Sequence, residues 1–451
     1  MSEQFMPDQD FIARLIAEDR LAELRDLLAE YHPADIAELL DEMDTDTAVV
    51  TFGHLPIDVA SEVLDESGGI FRKELLEQTD DERLADLLDE MPMDDAAEIL
   101  EDLPDLMTDH LLGLMEPEEA ADVRRILSYD ENTAGRLMNT DVAALRRQWT
   151  AAEAIEYLRS LEEIETLHYL YVVDRDGQLL GVVPIRYLLL AQPDELIEDI
   201  MLQTVFSVLT TADQEELADF IAKYDYTAIP VVDDEGRLLG VVTVDDALDV
   251  LEEEATEDIH RLGGSEPLDQ PYFAVSAFDI YKKRIGWLLL LFFAGTLTGY
   301  VTTLFEGVWG VFTALTIFVP LVIGTGGNAG SQTIATIIRA ITLGEVKPAT
   351  MIRAWRKELF TGLMLGTTMC VLAIALTLIV WQVDLGVALA VAFTLPVVVM
   401  WAVTIGTIVP VVADRIGIDP TVVSGPMIST LVDATGLAIY YTLAGFILGV
   451  F

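Results

Sequence analysis

The chain has 451 residues, a net charge of −51, 52% hydrophobic residues and a single cysteine. Charge of that sign repels nucleic acid and selects cations as partners, and one cysteine excludes a disulfide framework or a Cys/His zinc pattern. The charge is uneven: residues 1–280 hold 17 bases against 70 acids, net −53, whereas residues 281–451 hold nine bases against seven acids, net +2. Met1 to Phe5 lacks the basic and apolar regions of a signal peptide, so the acidic part is expected in the cytosol.

Residues 1–131 read as an acidic helical N domain. Proline recurs at helix starts (Pro33, Pro56, Pro92, Pro117), each followed by acids. Proline at N1 lacks only a donor the helix would not use, and first-turn acids suit the dipole. Leucines fall at helical spacing between these starts, and the uneven proline spacing predicts a loose superhelical stack rather than a strict array.

Residues 138–200 and 201–254 form an internal duplication. Leu170 to Val183 and Ile229 to Val242 share one pattern of strand, Asp/Gly turn and strand. A helix is expected before each hairpin, over 150–160 and 212–223, and another after it. The duplicate hairpin resembles a tandem CBS-domain pair, an α/β fold that often binds adenine nucleotides. That resemblance makes Thr243 and Asp245 candidate ribose contacts, with ATP as ligand, and leaves a purely structural pair as the alternative. Residues 245–268 hold a connecting helix, best defined over 244–262. Ala247, Leu248, Leu251, Ala255, Ile259 and Leu262 mark its apolar face, acids crowd the other, and Gly263-Gly264 ends it. Like charges on one face destabilise a helix unless counterions gather there.

Residues 282–451 carry five apolar runs of membrane length, beginning near Ile285, Val311, Leu359, Val387 and Thr421. All nine bases lie on one side of these spans, so the positive-inside rule places the acidic domains in the cytosol and the C-terminus outside. The second run is interrupted by Gly324 to Gly330. This run either lets irregular backbone line a cavity or lets helices pack closely. Asp433, inside the fifth run, is the most informative residue. A carboxylate at membrane depth is costly and is usually functional. Its hard oxygens suit Mg²⁺ or Ca²⁺, and Mg²⁺ sheds its waters reluctantly. A wide polar path is therefore expected, with Asp433 supplying charge and Asn328, Ser331, Gln332 and Thr435 holding hydration waters. Neither a phosphate-binding glycine loop nor a nucleophile with a base is present, and the five histidines are scattered, so no enzyme is indicated. Two other readings stay open: a proton- or Na⁺-coupled divalent-cation transporter, and a membrane-anchored nucleotide-sensing CBS protein.

Two membrane motifs, Pro320 to Gln332 and Asp419 to Pro426 followed by Thr430 to Gly436, together with the domain order, resemble the MgtE family of magnesium channels and transporters. The resemblance covers nearly the whole chain. It implies a multidomain membrane protein with an all-α acidic N domain, an α/β tandem CBS pair, a plug-like connecting helix and a five-helix transmembrane domain. It further implies a homodimer in the cytoplasmic membrane that takes up Mg²⁺, with Asp433 as pore carboxylate, closed when intracellular Mg²⁺ bridges cytosolic acids. Those acids would be Asp94 and Asp95 of the N domain, Glu215 and Asp225 of the CBS pair, Asp246, Asp249, Glu254, Glu257 and Asp258 of the connecting helix, and Asp419.

Overall fold

The computed structural model describes residues 7–101, 103–161, 167–268, 272, 275–305 and 314–450. The chain forms two compact units, 1–254 and 255–451.

The first unit opens with ten short helices: α1 (Gln9–Ala17), α2 (Leu21–Leu28), α3 (Pro33–Asp41), α4 (Thr45–Phe52), α5 (Ile57–Asp65), α6 (Gly69–Gln78), α7 (Asp81–Glu90), α8 (Met93–Glu101), α9 (Asp105–Leu111) and α10 (Pro117–Ile126). Helices two apart pack together (α3 on α5, α5 on α7, α7 on α9, α8 on α10), which winds the chain into a solenoid. Its core is the leucine set the periodicity marks, including Leu40, Leu64, Leu88 and Leu100. Pro33 and Pro117 sit at the first turn of α3 and α10. Pro56 is instead the N-cap of α5, and Pro92 precedes α8. Both positions suit a residue with fixed φ and no donor.

Two three-stranded sheets follow, with β1 (Ala144–Arg146), β2 (Tyr169–Val173) and β3 (Leu179–Pro184) in one, and β4 (Val208–Leu209), β5 (Ala228–Val232) and β6 (Leu238–Thr243) in the other. In each sheet the first strand pairs parallel with the second, and the second antiparallel with the third. Asp174 accepts from the N–H groups of Asp176 (2.8 Å) and Gln178 (3.0 Å), and Asp233 repeats this with Glu235 (3.0 Å) and Arg237 (2.8 Å). Gly177 and Gly236 take positive φ in the two turns. The tips pair with each other: Leu179 N donates to Gly236 O and Leu238 N to Gly177 O, both at 3.0 Å. The sheets are flanked by α11 (Ala151–Leu158), α12 (Ile185–Leu190), α13 (Ile197–Ile200) and α14 (Gln214–Tyr224). A capping box, Thr150 with Glu153, starts α11. The next helix, α15 (Val244–Leu262), is the expected connecting helix, and the boundary between the units falls within it.

Five helices long and apolar enough to cross a membrane make up most of the second unit: α16 (Ala277–Leu304), α17 (Val319–Thr342), α18 (Met351–Ala375), α19 (Leu385–Arg415) and α20 (Gly425–Ile447). Lys282, Lys283 and Arg284 lie inside the first turns of α16 rather than ahead of it. No residue of α16 is buried, whereas α19 is buried along most of its length against α17, α18 and α20. Pro396 and Pro410 are accommodated inside α19.

The glycine run differs from expectation. Residues 324–330 do not interrupt a span; α17 is continuous through them. A Cβ on Gly326 would lie 2.6 Å from Val398 Cγ1, and one on Gly330 2.8 Å from Ile428 Cγ2. The glycines let α19 and α20 approach, and that packing outweighs their poor helix propensity. A Gly326→Ala change should therefore cost about 1–3 kcal/mol through overpacking. Gly324→Ala, which meets nothing within 4 Å, should be neutral or slightly stabilising. Thermal unfolding of the two variants in detergent checks this contrast, and equal melting temperatures would contradict it.

Candidate functional site

Two places in the structure gather ionisable groups in ways that suit a divalent cation. The first lies in the first unit, where the acidic first turns of α8 and α15 face each other. Asp94, Asp95 and Asp246 each offer a carboxylate oxygen, all within 4.8 Å of one another. Hard oxygens at that separation suit Mg²⁺ or Ca²⁺. Local structure holds them there. Asn139, pinned by two backbone bonds to Val241, donates from Nδ2 to Asp94 (3.4 Å). Thr243, at the end of β6, donates to Asp246 from its backbone N–H (3.0 Å) and its hydroxyl (2.7 Å). The Thr243 hydroxyl bonds Asp245 as well. The two candidate nucleotide contacts are therefore adjacent and already hydrogen-bonded, and Thr243 is shared with the carboxylate group.

One turn further along both helices, a second acidic group forms from Asp65, Glu66, Glu98, Asp249 and Glu253. Burial pushes the Asp65 carboxyl up to about 6, aided by Glu98, Glu66 and Asp249 and opposed by Arg72. Asp249 is raised by burial first and then by Glu98, and Asp246 is raised by burial against the lowering effect of its Thr243 bonds. Arg72 partly offsets the crowding. It pairs with Glu98 (2.9 Å) and donates to the Asp65 carbonyl (2.7 Å). Glu98 and Asp65 were not among the sequence candidates. Glu98 had a legible signal, lying four residues after Asp94 and hence on the same helix face; Asp65 had none, because only folding brings α5 alongside.

The other candidate acids fall elsewhere. Glu254 accepts from Gln214 (3.4 Å). Glu215 lies in the first turn of α14 and exposed Asp225 is its left-handed C-cap. Glu257 and Asp419 both pair with Arg261, and Asp258 lies between the Glu257 and Ile259 positions on α15. Among the described residues, only Asp94, Asp95 and Asp246 gather as three close metal-ligating side chains.

The second place is the membrane unit. Asp433 is half-buried in α20 and has no hydrogen-bond or ion-pair partner among the described residues. Its neighbour Val432 abuts Gly326, so Asp433 lies level with the glycine-rich turns of α17. Asn328 and Gln332 are exposed one turn apart on α17, followed by exposed Thr336. Ser331 and Thr435 are engaged in packing. Ser331 donates to Gly425 O (3.3 Å) and bonds Ser429 Oγ (3.1 Å), and Ser429 reaches Gly327 O (3.4 Å). Thr435 accepts from Trp401 Nε1 (2.8 Å) and donates to Leu431 O (2.7 Å). A further carboxylate, Glu358 in α18, accepts from Thr333 (3.4 Å).

A carboxylate without a partner among the described residues of apolar helices, and apposed carboxylates in the first unit, are features of a divalent-cation transporter, and the sequence profile of that class, the MgtE divalent cation transporters, matches residues 319–443. The profile of the MgtE intracellular N domain matches residues 31–132, and CBS profiles match 134–194 and 197–253. The chain is 40% identical over 327 residues to the magnesium transporter MgtE of Thermus thermophilus, covering 72% of each chain, and 35% identical over 323 residues to that of Bacillus subtilis, covering 71% of each. The cytosolic domain of the Mg²⁺ channel MgtE, crystallised with ATP, is 37% identical with a TM-score of 0.51, covering 54% of this chain and all of that one. The soluble part of a magnesium transporter is 30% identical with a TM-score of 0.52, covering 55% and 98%. The chain belongs to the MgtE family of magnesium transporters. It is a membrane protein with a transport rather than an enzymatic function.

The raised carboxyls give a pH prediction. A carboxyl whose folded pKa lies above its unfolded value of about 4 contributes stability that is complete below that value and lost as pH rises through the folded pKa. With Asp65 at about 6, melting temperature without divalent cations should fall between about pH 4 and pH 7, with Asp65 contributing on the order of 2–3 kcal/mol. Mg²⁺ should suppress the loss by neutralising the carboxylates. A metal-free melting temperature that is flat or rising across this window would contradict it.

Proposed function

We propose that the chain carries Mg²⁺ inward across the cytoplasmic membrane as a homodimer, along a path beside Asp433, and that cytosolic Mg²⁺ bound between α8 and α15 closes it. The observation that carries the closing step is the group of Asp94, Asp95 and Asp246. Three carboxylates held this close repel without a cation, so apposed helices are favoured when Mg²⁺ is present and disfavoured when it is absent. Asp249, one turn on from Asp246 along α15, adds to the acidic surface beside them in this reading.

The path rests on Asp433 and on the stripe Asn328, Gln332 and Thr336. Polar side chains exposed at four-residue spacing on a membrane helix are costly against hydrocarbon and favour water or a second chain. Two copies about a two-fold axis supply both, with two Asp433 carboxylates facing hydrated Mg²⁺ and Asn328 and Gln332 binding its waters. Ser331 and Thr435 contribute through the helix packing that their hydroxyls already make. Leu189 and Leu190 of α12 and Leu248 of α15, 68%, 80% and 60% exposed, offer apolar surface after each hairpin of the duplicate for the second copy. The distribution of bases supports an inward-facing N-terminus and an outward C-terminus.

ATP at the CBS pair is the second part of this reading, with Thr243 and Asp245 as contacts. Its support is the ATP complex of the related cytosolic domain. Calorimetry with ATP should show binding that Asp245→Asn and Thr243→Val weaken; unchanged binding in both would remove these contacts.

Flux into liposomes tests the whole reading. Asp433→Ala should lose about tenfold or more, the factor that corresponds to 1.4 kcal/mol. Wild-type flux should fall as Mg²⁺ rises on the cytosolic side. Asp246→Asn, which keeps an acceptor for Thr243 but removes a charge, should need several-fold more Mg²⁺ to close. Full flux in Asp433→Ala would remove the path; an unchanged closing curve in Asp246→Asn would remove the sensor; flux that follows a pH gradient would turn the reading to coupled transport.

A further inference from the structure

Two acids expected to hold Mg²⁺, Glu257 and Asp419, are already occupied. Arg261 bonds both: one guanidinium nitrogen pairs with Glu257, one turn back on α15, and another with Asp419 in the segment before α20. Asp419 is itself held in place, its Oδ1 accepting from the Thr421 N–H (2.8 Å) and hydroxyl (2.7 Å). The three charged side chains are only 26–36% exposed. The surrounding contacts form a fitted seat. Leu262 packs on the cluster that contains Val423, Ile428 and Val432. Gly264, at φ +74°, turns the chain beside Ser424 and Pro426, where a Cβ would sit 3.4 Å from both.

We propose that Arg261 is a tethered cation that takes the place of a metal ion between Glu257 and Asp419, so that the end of α15 stays seated against the start of α20 whether or not Mg²⁺ is present. A guanidinium remains charged at any physiological pH, and its planar fork can serve two carboxylates at once. Removing it would leave two carboxylates from separate segments facing each other. They must then part or recruit a cation, because uncompensated partly buried charge is costly. The residue with the geometry of a metal seat is thus exempt from Mg²⁺ control, and the switch is confined to Asp94, Asp95 and Asp246. The functional meaning rests on the reading of α15 as the closing element, but the seat is a structural claim that can be tested without flux.

The test uses the full chain in lipid nanodiscs, with Cys370 replaced by Ala and a spin label at Ile259→Cys, a site 70% exposed on α15. With Arg261 present, the label should give the same immobilised spectrum with and without Mg²⁺. In Arg261→Ala it should be mobile without Mg²⁺ and immobilised when Mg²⁺ is added. Arg261→Lys should stay immobilised without Mg²⁺, and this variant separates loss of charge from misfolding. Adding Glu257→Gln to Arg261→Ala should abolish the response to Mg²⁺. A label already mobile without Mg²⁺ in the parent, an Ala variant indistinguishable from it, a Lys variant as mobile as Ala, or an Ala variant that Mg²⁺ leaves mobile would each overturn the proposal. Parallel flux measurements keep the two ideas separate: parent flux that ignores cytosolic Mg²⁺ would defeat the closing mechanism, while the spectra alone decide the seat.

Discussion

Like charge held at short range between α8 and α15 is the constraint on which the first unit depends. Two carboxylates about 5 Å apart repel by roughly 3 kcal/mol at an effective dielectric of about 20, and here three are close, with further acids one turn away. The backbone does not let them relax. Asn139 and Thr243 hold Asp94 and Asp246 from two different strands of structure, and the leucine core of the solenoid fixes α8. In the proposed closing mechanism this repulsion makes the free energy of the apposed state depend on cation concentration, because a bound ion would convert repulsion into bridging. Carboxyl pKa values in the same place are raised by burial first and by the neighbouring acids second.

The membrane unit resolves a different tension. Helices in lipid gain no hydrophobic drive from each other, so small residues and interhelical hydrogen bonds must hold them. Gly326, Gly327 and Gly330 bring α17 against α19 and α20, and the bonds linking Ser331, Ser429, Gly327 and Gly425 lock α17 to α20. Asp433, next to Val432 at the Gly326 end of this seam, has no hydrogen-bond or ion-pair partner among the described residues. For the proposed path the two features belong together: an ion-binding charge would be useful only if neighbouring polar groups did not neutralise it and its helix did not shift.

Along α15, acids meet two kinds of compensation. At its start Asp246 faces the carboxylates of Asp94 and Asp95. Near its end Glu257 has Arg261, which also reaches Asp419. Exchangeable ions answer to concentration and covalently attached ones do not, so under the two proposals one helix would combine a conditional contact with a permanent one.

Architecture was legible from the sequence because each level of it leaves a local pattern. Span length, leucine periodicity, the repeated Asp/Gly hairpin and the 244–262 helix each depend on residues close in sequence, and all appear in the structure. Asp433 stood out for the same reason, since one acid in a long apolar run needs no partner to be noticed. What the sequence by itself determined is therefore the order of elements, the membrane segments and the kind of ion they suit. Only the tertiary structure decided which acids meet. Asp94, Asp95 and Asp246 are about 150 residues apart and converge because the solenoid folds back on the second hairpin, while Glu257 and Asp419, equally acidic, are paired by Arg261. Tertiary packing also settled the glycine run as helix, since its low propensity is local and the close approach that offsets it is not. Charge pairing depends on distances of a few ångströms between distant segments, and no local pattern in one chain encodes them.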